Sequence, residues 1–208
     1  MNPSLILKVG ALWSSRKELY YVSFSFLIVL LLPIIAVIIL TQTGIDLVSD
    51  KLATVNESTN AIEIRDPATG EVIKELQLTT AWPARGYISL EFAKSSGFQV
   101  FHTGIDIANP NGQIGDPINA FLPGKVIYEG EIFWGFGKHI IIDHGDNITS
   151  VYAHLDKIFV IKGQEIENTS HVIGHMGSTG WSTGPHLHFE TRVYGIPVNP
   201  RTFLQGNP

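Results

Sequence analysis

The side chains of this chain best suited to chemistry are its histidines, and their spacing narrows what that chemistry is. His102-Thr103-Gly104-Ile105-Asp106 sets an imidazole and a carboxylate four residues apart. Gly104 between two β-branched residues argues against a helix there, so the pair meets across a turn or an irregular strand. His186-Leu187-His188 is a different arrangement. Residues two apart on a strand point to the same face, so both imidazoles address one site. His154 closes the run Val151-Tyr152-Ala153-His154 and, by the same alternation, shares a face with Tyr152. Imidazole nitrogen and carboxylate oxygen suit zinc, and three protein ligands leave a fourth position for water. On these grounds either His186 or His188 can be the ligand. The other four histidines have plainer settings. His144 caps a turn by hydrogen bonding, His139 lies on a strand surface, and His171 and His175 fall in a polar turn region.

A chain of 208 residues accommodates one ordinary domain and some extra segments. It has no cysteine, which excludes disulfides, thiolate zinc sites and a cysteine nucleophile together. The formal net charge of −5 argues against a nucleic-acid partner, which is normally met by a basic patch.

The elements that must position these residues are strands. Over 80–208, short apolar runs at 125–128, 139–143, 149–154, 157–161 and 188–193 alternate with glycine turns. Runs so closely spaced predict antiparallel sheets packed on one another, a mainly β fold. Residues 42–79 form a linker: 44–60 reads as a polar spacer, and 61–65 and 71–78 read as two strands of a β-hairpin about Asp66-Pro67-Ala68-Thr69-Gly70. Ahead of them, residues 20–41 carry no charge. About 20 helical residues rise about 30 Å, the thickness of a bilayer's hydrocarbon core, so this segment predicts one transmembrane anchor. Pro33 is tolerated in such a span. The rival, a cleaved signal peptide, wants a shorter apolar core and a small-residue cleavage site, and Thr41-Gln42-Thr43-Gly44 lacks one. Lys8, Arg16 and Lys17 precede the span, which places residues 1–19 in the cytoplasm and everything after Thr43 outside the cell membrane. Residues 5–13 are apolar enough to lie along the inner interface.

The stretches HTGIDIANP, GKVIYEG, IIIDHGDN, VYAHLDKI and GSTGWSTGPHLHFE, in that order, resemble the lysostaphin-type (LytM-like, duplicated hybrid motif) zinc metalloendopeptidases of bacterial cell walls. The resemblance runs from Trp82-Pro83 to Asn199-Pro200. It implies a mostly antiparallel β architecture with a groove floored by the sheet, and residues 133–137 and 180–184 as groove loops. It makes His102, Asp106 and His188 the ligands of Zn2+ and leaves His154 and His186 as unligated catalytic histidines. It also implies the substrate, peptidoglycan stem or cross-bridge peptide. Two departures touch no ligand. Residues 91–101 lack the arginine common before the family's first histidine, and 167–171 replaces a lysine-glycine turn. Two rivals stand against hydrolysis. An inactive relative that binds wall peptide or activates another hydrolase would have lost some of the five residues kept here. A carrier-type hammerhead domain would place a modifiable lysine at a hairpin tip, a setting that neither Lys125 nor Lys162 has.

Overall fold

The structure, a computed structural model, describes residues 3–77, 81–96 and 101–208; side chains are described from Lys17 onward, apart from those of Ile38, Thr41 and Gln42. The far end of the second hairpin strand (78–80), residues 97–100 before His102, and the side chains of 5–13 therefore lie outside the described residues.

The chain divides into two compact units, Met1–Thr41 and Gln42–Pro208. The first belongs to helix α1 (Pro3–Leu52), whose segment Lys17–Val37 is long and apolar enough to cross a membrane. Its apolar side chains point outward all round, with Pro33 inside the run. A helix apolar on every face has no polar side to give to water.

In the second unit the end of α1 runs into a small sheet of β1 (Ala53–Asn56), β2 (Ala61–Arg65) and β3 (Val72–Gln77), in that order. Residues 44–60, read as a polar spacer, thus comprise the end of α1, strand β1 and the turn that leads into β2. Leu52 and Ala53 are buried, and the Ser49 hydroxyl accepts a hydrogen bond from the Asn199 backbone at 2.9 Å. Strands β2 and β3 pair antiparallel about the turn at Asp66, whose side chain accepts from the amides of Ala68 and Thr69. Tyr194 donates to Asp66, and Lys74 pairs with Asp146, which fastens the hairpin to the larger sheet.

That larger sheet contains β4 (Tyr87–Leu90), β5 (Ile105–Ala108), β7 (Gly124–Ile132), β8 (Gly137–Asp143), β9 (Ile148–Ala153), β11 (Glu165–Ile166), β13 (His186–Val193) and β14 (Ile196–Val198). Its order is β11-β7-β8-β9-β13-β5-β4, with β14 on β13, and every pairing is antiparallel. A second three-stranded sheet is made of β6 (Pro117–Asn119), β10 (Leu155–Ile158) and β12 (Val172–Met176), in the order β10-β12-β6. Among the described residues after α1, the only helical segment is the 3-10 turn Pro200–Thr202.

One strand decides where the site lies. Along β13, Leu187 and Phe189 point into the apolar core, while His186, His188 and Glu190 point to the other face. Register carries the division across the sheet: Leu187 and Phe189 oppose Ile107 and Ile105 of β5, and Phe189 opposes Tyr152 of β9. Phe121, Tyr152, Phe189 and Phe203 are all at most 1 % exposed, and they join in ring contacts of 5.3–6.0 Å. Four aromatic side chains of this size supply much of the apolar burial that holds the sheet to its neighbours.

Candidate metal centre

His188 sits directly opposite Asp106 on one side and opposite Ala153, the last residue of β9, on the other. Three chain segments therefore deliver side chains to one level of the sheet. His102, from the bend before β5, completes a triangle. His102 Nε2, His188 Nδ1 and Asp106 Oδ1 lie 2.9 Å from one another.

The bonds behind these atoms fix which lone pairs face inward. His102 Nδ1 is 3.2 Å from the Glu91 carbonyl, which can only accept, so Nδ1 carries the proton and Nε2 is bare. His188 Nε2 is 3.1 Å from Glu190 Oε1, and the same reasoning leaves Nδ1 bare. Three acceptors then converge with no proton among them, an arrangement that repels unless a cation or a proton enters. With no cation, a proton does. Burial alone would lower the His188 pKa, but bonding to Asp106 and Glu190 overrides it and raises the value to about 9. Asp106 is the mirror case: burial would raise it, while hydrogen bonds from His102 and His188 hold it well below the usual carboxylate range. Two imidazole nitrogens and one carboxylate oxygen, all within reach of one ion, form a donor set that fits zinc.

His154 and His186 lie beside the triangle, their rings 4.7 Å apart. His186 shares its face with His188, as alternation requires, and its Nε2 is 3.7 Å from Asp106 Oδ2. Its Nδ1 is bonded to the Gly184 carbonyl at 2.8 Å. His154 reaches the site by another route. Tyr152 is on the core face, where its hydroxyl accepts from the Phe121 amide, so continued alternation would have buried His154 with it. Instead His154 leaves the strand with φ +61°, which turns its side chain across the sheet edge into the site. Histidine is among the residues that tolerate this left-handed conformation, at a cost on the order of 1 kcal/mol. Two bonds hold it there: its amide donates to Phe136 O at 2.9 Å, and its Nδ1 to Thr179 O at 2.8 Å. Burial, followed by the neighbouring His186 and His188, lowers its pKa to about 4, so it is neutral at pH 7 with Nε2 toward the groove.

The groove holds a cavity of about 310 Å³, lined by the five residues just described together with Ser89, Leu90, Ser96, Trp181 and Thr183. Residues 180–184 thus do form a wall. Residues 133–137 act from behind it: Trp181 N donates to Gly135 O at 2.8 Å, and the Phe136 ring stacks 5.5 Å from that of His188. The two loops touch backbone to backbone. A Cβ on Gly137 would meet Thr179 at 2.4 Å, and one on Gly180 would meet Gly137 N at 2.3 Å; both glycines have positive φ.

The plainer histidines differ from their sequence readings. His139 is buried, because β8 is an interior strand, and its ring stacks at 4.6 Å on Tyr128. His144 does more than cap a turn: Nδ1 donates to Pro123 O and Nε2 bonds Ser150 Oγ, each at 2.7 Å, and Ser150 bonds the Tyr152 hydroxyl. His175 lies in β12, with its ring 4.7 Å from Phe159. Sequence reasoning did not reach Glu190, fully buried beneath His188, although the period of two in His186-Leu187-His188-Phe189-Glu190 places it on the same face.

The model of Peptidase family M23 matches residues 100–200. The chain is 42 % identical over 99 residues to the DD-carboxypeptidase/endopeptidase Mpg of Neisseria meningitidis, covering 48 % of this chain and 22 % of that protein. It is 41 % identical over 126 residues to the murein hydrolase activator NlpD of Escherichia coli, covering 61 % and 31 %. The chain therefore spans a third or less of these two relatives' length. Among solved structures, a point mutant of the catalytic domain of the prophage-encoded M23 protein EnpA from Enterococcus faecalis is 35 % identical with a TM-score of 0.52, covering 62 % of this chain and 100 % of that one. Lysostaphin from Staphylococcus simulans is 29 % identical with a TM-score of 0.52, covering 61 % and 54 %.

Proposed function

This chain belongs to peptidase family M23, and on that premise we propose that it is a membrane-anchored zinc endopeptidase hydrolysing peptide bonds in peptidoglycan stem or cross-bridge peptides. One observation carries the proposal: three ligand atoms, two imidazole nitrogens and a carboxylate oxygen, converge at 2.9 Å in a groove beside two further histidines. A zinc ion bound there supplies a Lewis acid and access to a hydroxide nucleophile at neutral pH. The chain's own residues supply the remainder. His102, Asp106 and His188 hold the ion. His154, neutral and with Nδ1 tied to Thr179, presents Nε2 as a proton acceptor to the groove. His186, its Nδ1 tied to Gly184, stands beside His154, where it can stabilise the oxyanion or return a proton to the leaving amine. The helix around Lys17–Val37 supports the anchor, and Lys8, Arg16 and Lys17 support an inside N-terminus with the groove facing the wall.

Similarity to a murein hydrolase activator favours one other reading, in which the groove binds wall peptide and the chain activates a partner hydrolase. Retention of all five residues favours hydrolysis. The test uses the whole chain in detergent, stripped by a chelator, then given zinc and purified peptidoglycan. Zinc-dependent release of peptide fragments, read by mass spectrometry, is expected; intact wall with zinc bound would favour the activator. Protease applied to protoplasts should digest the region after Thr43 and spare an N-terminal tag.

A further inference from the structure

We propose that Glu190 is a positioning residue for the metal centre: it holds His188 with Nδ1 bare and aimed at the triangle, and ties β13 to the segment that carries His102 and Asp106. The proposal rests on the zinc site put forward above.

Glu190 is fully buried, and an isolated carboxylate there would be strongly disfavoured. Its two oxygens instead divide their partners. Oε1 accepts from His188 Nε2 at 3.1 Å and from the Thr103 hydroxyl. Oε2 accepts from Arg192, at 2.7 Å from its Nε. The arrangement follows from strand geometry, since residues 188, 190 and 192 share one face of β13. Thr103 lies between His102 and Asp106 in sequence, so one carboxylate grips both ligand-bearing segments.

Two features show how tightly the grip is built. A Cβ on Gly104 would meet Phe189 O at 2.2 Å and Glu190 Cγ at 2.9 Å, so only glycine lets the Thr103 segment approach this strand. Arg192 neutralises Glu190 and lies 5.9 Å over the Phe136 ring, which also stacks on the ring of His188. His188 is therefore fixed at Nδ1 by the triangle, at Nε2 by Glu190, and across its plane by Phe136. A metal-bound histidine held from behind by a carboxylate is more basic and already oriented, and loss of such a partner typically costs 10–100-fold in metal affinity.

The test measures metal on the full-length chain, independently of hydrolysis. Zinc affinity is read by competition with a chromophoric chelator, coordination by the visible spectrum of the cobalt-substituted protein, and folding by circular dichroism. Glu190→Leu should weaken zinc 10–100-fold and dim the cobalt bands. Glu190→Gln keeps one acceptor for His188 and turns a donor toward Arg192, so it should recover part of the loss. Thr103→Val, which removes a single bond to Oε1, should cost a few-fold and serves where Glu190→Leu does not fold. Parental zinc affinity and cobalt spectra in the folded variants would overturn the role. A parent chain that binds no zinc overturns the zinc site and this role together. One that binds zinc but releases no wall peptide overturns only the peptidase reading.

Discussion

Two histidines in this domain, the buried His188 and the half-buried His144, have both ring nitrogens hydrogen-bonded, yet their protons are held with opposite strength. His188 meets Asp106 and Glu190, and its pKa is raised to about 9. His144 meets a carbonyl and a hydroxyl; burial dominates, and its pKa is lowered to about 4. Burial disfavours the charged ring in both, so what separates them is the charge of the partners. A histidine among carboxylates holds a proton in a place that suits a metal ion. One among neutral groups stays neutral and serves as a polar joint in the fold, here from Pro123 through Ser150 to Tyr152.

The contrast can be broken most forcefully by substitution at the first site. Asp106→Ala or His188→Ala should remove tight zinc binding and all measurable wall-peptide hydrolysis, as two ligands seldom hold zinc against a chelator. His144→Ala should leave zinc content unchanged. Metal analysis after dialysis against chelator checks both, and equal zinc in all three variants would erase the distinction. His154→Ala is next in size. It should keep zinc while losing on the order of 10²–10⁴-fold in rate, because His154 lines the groove and adds no ligand atom to the triangle. Loss of zinc in this variant would make His154 a ligand.

Proton linkage sharpens the comparison further. Zinc must displace the proton of His188, so between pH 6 and about 9 zinc affinity should rise with pH, by roughly tenfold per unit if one proton leaves. Calorimetry in buffers of different ionisation enthalpy counts that proton. The metal-free protein should then show two opposing effects on stability. His188, raised on folding, contributes stability that is fully present below its unfolded value near 6.5 and is lost as pH rises through about 9. His144, depressed on folding, contributes stability present above about 6.5 and lost as pH falls toward 4. Its loss should be on the order of 2 kcal/mol, reduced from the full linkage value because the ring is partly exposed. The smallest effect expected is the disappearance of this acid-side slope in His144→Gln, measured by denaturant unfolding at pH 7 and pH 5.

How far each site was legible follows from the range of the interactions involved. That β13 carries His186 and His188 on one face is a local matter of strand period, and so is the company of Glu190, which the same alternation reveals. The apolar run within 20–41 reads as a helix able to cross a membrane from its length alone. The glycine-punctuated runs after residue 80 predict the antiparallel sheets, and the five site residues stand in recognisable motifs. Tertiary structure decided the rest. His154 lies in the groove because its φ is positive and its ring is held by Thr179, 25 residues away; alternation by itself would have placed it with Tyr152 in the core. His139 is buried because its strand is interior to a sheet whose order is not written in that strand, and His144 finds its two partners only where the fold brings Pro123 and Ser150 beside it. Which nitrogen of His188 faces the triangle depends on Glu190 behind it and on His102, 86 residues distant, in front. Strand period is a property of the backbone and travels with every short segment. A proton's position is a property of the partners on both sides of the ring, and only the assembled sheet brings those together.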